Sequence, residues 1–325
     1  VNVYINFKSH NDGLKRYILE EIARPVVQTP PEDIYLLENC VVSDVGLVYT
    51  RDGAIFGPSA KDQIQLHTQE YLHSLDPREI PSLDGVGIFI FKSGKDNYGH
   101  LMTEILPKLE NLLPMDLDRA TLILPYLPVK LAQEVVGLVF DLYGDKFGFH
   151  QMGHPLLRVK YLVYPGPISD HNTRKSKTLL KFADNLSQRI PKDGGGPEKI
   201  YVSRQNIDKR RLRNEGNIRA FFEERGFTSV FPENHSFTEQ IRLFRNARLI
   251  AGPHGAGLTN ALFAPPQARV IMLDPGLYDF FFFDLCGLKR QSFAWAFKGE
   301  LNPMTHAMLH KDYRFPPHLL RSLLP

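Results

Sequence analysis

In the second half of the chain, short apolar runs alternate with amphipathic segments. Lys199–Ser203, Thr228–Phe231, Arg248–Ala251 and Arg269–Leu273 read as strands. Asn214–Arg225, Ser236–Asn246 and Leu258–Phe263 read as helices between them. Gly226 stands just past the first helix, and Ser236 with Glu239 forms a capping box at the start of the second. Strand–helix alternation of this kind predicts a parallel, doubly wound sheet. Ligands bind such sheets at the carboxyl ends of the strands. Three strand ends carry chemistry here: Ser203-Arg204, Pro232-Glu233 and Gly252-Pro253-His254-Gly255. All three loops should open on one edge.

The first half is less regular. Residues 41–57 read as a hairpin, with Val41-Val42 and Gly46–Tyr49 extended and Arg51-Asp52-Gly53 as a turn. Lys61–Leu75 fits a helix with Ile64, Tyr71, Leu72 and Leu75 on one side, and Gly87–Phe91 a buried strand. Asp96–Pro107 reads as a loop entering a helix whose apolar side is Leu101, Ile105, Leu109 and Leu112. Thr121–Leu124 and Arg158–Tyr164 are expected strands; Val129–Leu142 and Arg174–Arg189 are expected helices. Asp193–Pro197 is a joint or a simple surface loop. The expected division is an amino-terminal Rossmann-like domain over 1–172 and a second over 173–325. Phe280–Phe283 should plug a core or a seam between domains. The helix after Pro316-Pro317 should pack back on the amino-terminal domain.

Composition narrows the class. With 325 residues, 43% apolar and 23% charged, the chain has the make-up of a soluble globular protein of two domains or one large one. Its net charge of +3 does not by itself imply nucleic acid, although Arg204, Arg210, Arg211, Arg213 and Arg219 cluster. Cys40 and Cys286 cannot make a disulfide framework, which leaves a single bridge open and favours a reducing compartment. No apolar run is long enough to span a membrane, and no signal peptide is read. An anchor or leader removed before Val1 stays open. The sequons at Asn185 and Asn234 are about as many as chance supplies.

The glycines of Leu249–Asn260 are the centre of the candidate chemistry. Gly252, Gly255 and Gly257 form a turn between a strand and a helix start. Glycine permits φ > 0 and leaves room for a ligand against the main chain. A helix start offers unpaired N–H groups to a phosphate. The competing reading is a tight turn that binds nothing. Arg204 with Arg210 or Arg211 could clamp a diphosphate, and Glu233 could take a ribose or base hydroxyl. His100 and Glu104, four apart, share a helix face opposite the apolar one; they suit acid–base work or a surface pair that stabilises the first turn. Asp116-Leu117-Asp118 is a divalent-metal motif or turn chemistry, and turn chemistry is preferred. The chain has no ATP-type P-loop, no dinucleotide fingerprint, no zinc spacing and no aromatic stripe for bases. A nucleoside diphosphate therefore fits better than a nucleic acid.

Tyr201-Val202-Ser203-Arg204, Arg210-Arg211, Phe227–Glu233, Phe237–Phe244 and Gly252–Phe263 resemble glycosyltransferase family 61. Asn97-Tyr98-Gly99-His100 with Glu104 and Pro107 looks like that family's amino-side motif, with Gly99 and Glu104 where many members carry a bulkier residue and Asp. The likeness covers about Asp96 to Pro275. It implies a GT-B fold, two Rossmann-like doubly wound domains facing a cleft, with no metal or other cofactor. It implies inverting transfer from a nucleotide sugar, most often a UDP-sugar, to a glycan or lipid-linked saccharide acceptor. Arg204, Arg211, Glu233, Gly252, His254, Gly255, Ala256, Gly257 and Asn260 are the expected donor-binding residues, and Asn97 lies on the acceptor side. The base of an inverting transfer must lie across the cleft from the diphosphate. Glu104 is its first candidate, with His100 orienting it, and His254 assists the leaving group. Asp170 and His171 are the fallback. The short chain reads most like a bacterial enzyme of surface polysaccharide biosynthesis, acting on capsule or lipopolysaccharide precursors in the cytoplasm; association with the inner membrane face stays open. The competing readings are a non-catalytic nucleotide-sugar or glycan-binding domain and a metal-dependent transferase using Asp116 and Asp118.

Overall fold

The alternation of the second half builds a parallel sheet, and the sheet is larger than the pattern indicated. The computed structural model describes residues 4–5, 12–23, 29–61, 77–117, 119–170, 173–191, 195–277, 279–297 and 311–324. The helix expected over Lys61–Leu75 falls almost wholly outside these residues. The chain divides into two compact units, Thr29–Arg189 and a unit joining Val1–Gln28 to Ile190–Pro325. Strand β1 (Tyr4–Ile5) accordingly belongs with the carboxyl-terminal half.

In the Thr29–Arg189 unit, β2 (Ile34–Ser43) and β3 (Val48–Tyr49) form the expected hairpin. The remaining strands are β4 (Ser82–Ile88), β5 (Thr121–Leu124), β6 (Gly148–Gln151), β7 (Leu156–Pro165) and a small ribbon of β8 (Ser169–Asp170) with β9 (Thr173–Lys175). The main sheet has the order β3-β2-β7-β4-β5-β6. Its β7, β4, β5 and β6 run parallel, and β2 is antiparallel to β7. The last helix of this unit is Thr178–Arg189, where the sequence suggested a start at Arg174. Thr173–Lys175 is taken into the ribbon, and the Ser176 hydroxyl accepts the Thr178 N–H at 3.0 Å. Thr178 Oγ1 donates to Glu32 at 2.6 Å and Asn185 Nδ2 to Glu110 at 2.8 Å. These bonds keep the helix with the first unit, which therefore ends at Arg189 and not at residue 172.

The second unit continues with β10 (Lys199–Val202), β11 (Thr228–Val230), β12 (Leu249–Pro253), β13 (Arg269–Asp274) and β14 (Ser292–Phe297). The order is β1-β14-β13-β12-β10-β11, parallel throughout. Helices Glu215–Glu223, Phe237–Phe244 and Phe281–Leu288 and a 3-10 helix at Ala256–Phe263 make the crossovers. The Ser236–Glu239 capping box is formed as read. Of the two roles read for Phe280–Phe283, the structure shows the core: the run opens the Phe281–Leu288 helix, and Phe280 meets the buried Trp295 edge-on in this unit's own core. β14 went unread because the aromatic run before it masked the strand pattern. The terminal 3-10 helix, Pro317–Ser322, also belongs here. Leu320 and Leu323 enter the core with Tyr201, Ile218 and Phe222, so the helix expected on the amino-terminal domain packs into the core of the carboxyl-terminal sheet.

Candidate functional site

The carboxyl ends of β12, β10 and β11 lie side by side, so the three chemistry-bearing loops do share one edge. Ser203-Arg204 is fixed by the buried Glu215, whose Oε1 accepts from Ser203 Oγ and from the Arg204 N–H, each at 2.8 Å. The Arg204 side chain then runs to the glycine turn. A Cβ built on Gly255 would lie 1.9 Å from Arg204 Nη1, so residue 255 is glycine because the guanidinium occupies the space a side chain would need. Gly252 is excluded from bearing a side chain in the same way, by the Val202 carbonyl oxygen at 2.7 Å. None of the turn's glycines has φ in the left-handed region that favours glycine. The sequence motif reports close approach, and the room expected for a ligand is filled in part by protein.

Arg204 is a strained cation. Burial, followed by the charge of Arg210, lowers its pKa, while Tyr313, Glu215 and Glu233 act in the opposite direction. The Nε atoms of Arg204 and Arg210 are buried with no hydrogen-bond partner among the described residues. Arg211 is different. It is 57% exposed and committed to Asp312, with Nε and Nη2 each 3.1 Å from Oδ2. Of the two candidates beside Arg204, Arg210 is thus the one that shares its electrostatic environment. Glu233 is exposed on the Pro232–Asn234 turn. Ala256 and Gly257 are half-buried at the start of the 3-10 helix. Asn260 is fully buried, its amide nitrogen donating to Gln240 at 2.8 Å and to the Gly257 carbonyl at 3.1 Å; it holds the turn in shape.

His254 lies under the turn between two carboxylates. Its Nδ1 is 3.1 Å from Asp274 Oδ2 and its Nε2 3.6 Å from Asp279 Oδ2. Burial opposes protonation, yet hydrogen bonding to Asp274 and Asp279 prevails and the imidazole pKa is raised. Asp274 is anchored in turn by Trp295 Nε1 at 3.0 Å and by the Gly276 and Leu277 N–H groups. Sequence reading missed Asp274, Asp279, Trp295 and Glu215. Each lies far along the chain from its partner, and only the strand order unites them.

A second cluster stands in the Thr29–Arg189 unit. Asn97 caps the Tyr98–His100 turn, its Oδ1 accepting the Gly99 N–H at 2.8 Å. His100 Nδ1 is 3.1 Å from Glu104 Oε2, the contact the spacing implied. The pair is not on an outer face. Leu101–Ile105 is a wide turn in which the Leu106 N–H bonds to Leu101 O, and this rotates Glu104 inward to 2% exposure. There it meets Lys92 Nζ at 2.6 Å. Lys92 was missed, since nothing in the run before Gly94 marks it. Asp116 is exposed, and Asp118 and His171 lie outside the described residues, as does the side chain of Asp170. Among the described residues, no cluster of His, Cys, Asp and Glu could hold a metal ion.

The family pattern described as Glycosyltransferase 61 matches residues 98–271, more than half of the chain. The protein belongs to the glycosyltransferase 61 family. The match begins at the Tyr98–His100 turn and takes in the Arg204 loop and the glycine turn, but stops before Asp274. Among curated proteins, the chain is 29% identical over 160 residues to the Drosophila melanogaster EGF domain-specific O-linked N-acetylglucosamine transferase, covering 45% of this chain and 30% of that one. It is 28% identical over 167 residues to the Bos taurus protein O-linked-mannose beta-1,4-N-acetylglucosaminyltransferase 2, covering 48% and 28% respectively. The chain thus matches under a third of the length of these glycosyltransferase 61 relatives.

Proposed function

We propose that this protein is an inverting, metal-independent glycosyltransferase that moves a sugar from a UDP-sugar to a glycan acceptor. The observation that carries the reading is Arg204, a half-buried guanidinium laid on Gly255 beside a second arginine, within a family of glycosyltransferases. Two half-buried like charges favour a diphosphate, and arginine clamps with turn amides can stabilise a leaving diphosphate without a cation. In this reading the donor diphosphate sits on the Gly252–Gly257 turn against Arg204 and Arg210. His254, held between Asp274 and Asp279, braces the turn from below. A GT-B fold is part of the proposal, with Asn97, His100 and Glu104 assigned to the acceptor.

Glu104, the first candidate for base from the sequence, is nearly inaccessible and gives Oε2 to both Lys92 and His100. His100 is 18% exposed. We therefore assign the base to His100 Nε2. Glu104 accepts the proton on Nδ1 and fixes the tautomer, and Lys92 holds Glu104 in place. The base takes the acceptor hydroxyl proton as that oxygen attacks the anomeric carbon opposite the leaving diphosphate.

Both relatives are named for N-acetylglucosamine transfer, so UDP-N-acetylglucosamine leads the donor panel. A role in surface polysaccharide synthesis on the cytoplasmic side of a membrane is the setting we propose; its support is that Cys40 and Cys286 are both buried free thiols. The test is donor hydrolysis and transfer with a panel of nucleotide sugars, followed by single variants. His100→Gln should lower turnover by about 10²–10⁴-fold and leave UDP binding intact. Normal turnover in His100→Gln with a dead Glu104→Gln returns the base to Glu104. A protein that binds UDP-sugars but neither transfers nor hydrolyses them is the non-catalytic binding domain.

A further inference from the structure

The loop after β10 is zipped to the carboxyl-terminal segment. The Tyr313 N–H donates to Arg211 O at 2.9 Å and the Arg213 N–H to Tyr313 O at 2.8 Å. The Asn214 side chain exchanges hydrogen bonds with the Phe315 backbone at 2.8 and 3.0 Å. An extended pair sends alternate side chains to opposite faces. Leu212, Tyr313 and Phe315 enter the core. Arg211, Arg213, Asp312 and Arg314 make the other face, and with Arg204 they line an open cavity of about 460 Å³.

The charges in this cavity do not balance. Arg204, Arg211, Arg213 and Arg314 face two carboxylates, Asp312 and Glu215. Asp312 Oδ2 already serves two guanidinium groups, Arg211 Nη2 at 3.1 Å and Arg213 Nε at 3.6 Å. Glu215 Oε1 is spent on Ser203 and the Arg204 N–H. The cavity therefore carries an excess of positive charge in forked donors, which match planar oxyanions. Its size suits one or two sugar rings and not a folded polymer.

We propose that this cavity is an anion subsite that takes the phosphate, sulfate or carboxylate group of a saccharide substrate. It shares Arg204 with the glycine turn, but Arg211, Arg213 and Arg314 supply the rest of its positive lining, and the anion it takes is distinct from the donor diphosphate. Arg213 and Arg314 are exposed and lie outside the donor and base assignments, which makes them the residues to remove.

The test is calorimetry on the full chain and on Arg213→Ala/Arg314→Ala, with trigalacturonate, maltotriose, glucose 1-phosphate, inorganic phosphate and UDP as probes. The wild type should bind trigalacturonate or glucose 1-phosphate in preference to maltotriose, less tightly as salt rises. The double variant should weaken that binding by about tenfold or more, as loss of charge-assisted hydrogen bonds requires, with UDP affinity unchanged. An equal loss of UDP affinity overturns the proposal by making the cavity the donor's own site. Equal binding of maltotriose, binding of inorganic phosphate as tight as that of the sugar phosphate, or preferential binding of an RNA oligonucleotide lost in the double variant overturns it as well.

Discussion

Gly255→Ala is the sharpest probe of the donor half-site. Gly255 has φ 172°, extended backbone that alanine adopts without strain. The methyl group would stand 1.9 Å from Arg204 Nη1, 2.6 Å from Cζ and 2.9 Å from Cδ, so the guanidinium must leave its place. Its Nη2 bond to Lys209 O at 3.0 Å goes with it. The displaced group is the end of a flexible side chain, so the cost to folding is that of one shifted rotamer, about 0.5–1.5 kcal/mol. The cost to diphosphate binding is larger: one charge-assisted hydrogen bond contributes about 1.5–3 kcal/mol, or roughly 10- to 150-fold in Kd. Calorimetry with UDP should show that loss in Gly255→Ala with the unfolding midpoint close to wild type. Arg204→Ala should show a similar loss, and adding Gly255→Ala to it should cost almost nothing more, because both changes remove one contact. Wild-type UDP affinity in Gly255→Ala, or losses that simply add in the double variant, would refute the placement of Arg204 on the donor.

Other expectations follow from the same geometry. Gly252→Ala meets the Val202 carbonyl at 2.7 Å, backbone that cannot swing aside, so it should destabilise the fold by about 1–3 kcal/mol, read as a lower urea midpoint. His254 titrates above its ordinary value in the folded state, so its contribution is fully present below pH ~6.5 and lost as pH rises through the folded value. Urea midpoints measured upward from pH 6 should fall accordingly, and Asp279→Asn should flatten that fall; an unchanged slope would remove Asp279 from the network. Activity should survive EDTA, and loss with EDTA reversed by Mn²⁺ would favour the Asp116/Asp118 reading.

The carboxyl-terminal sheet was largely legible because each βαβ step carries its own local signal. Apolar runs, the capping box at Ser236 and the stop at Gly226 act within a few residues of one another. The glycine turn was legible as a motif, but its physics was not. Spacing alone cannot distinguish glycine needed for φ > 0 from glycine needed because Arg204 or the Val202 carbonyl occupies its Cβ position. The His100–Glu104 contact was readable from an i, i+4 spacing. Its burial was not, since the wide turn at Leu101–Ile105 changes which face points inward.

By itself, then, the sequence determined most of the strands and helices of the second half, their parallel arrangement, the edge on which Arg204, Glu233 and His254 gather, and the family. These rest on periodicity and on contacts between near neighbours in the chain. Only the tertiary structure decided which arginine joins Arg204, that Asp274 and Asp279 hold His254, that Lys92 holds Glu104, and that the tail closes over the Arg211 loop through Asp312 and Tyr313. Apart from the two arginines, those pairs are separated by twelve to a hundred residues or more. Their meeting depends on strand order and on the closure of a whole core, neither of which any local window of sequence contains.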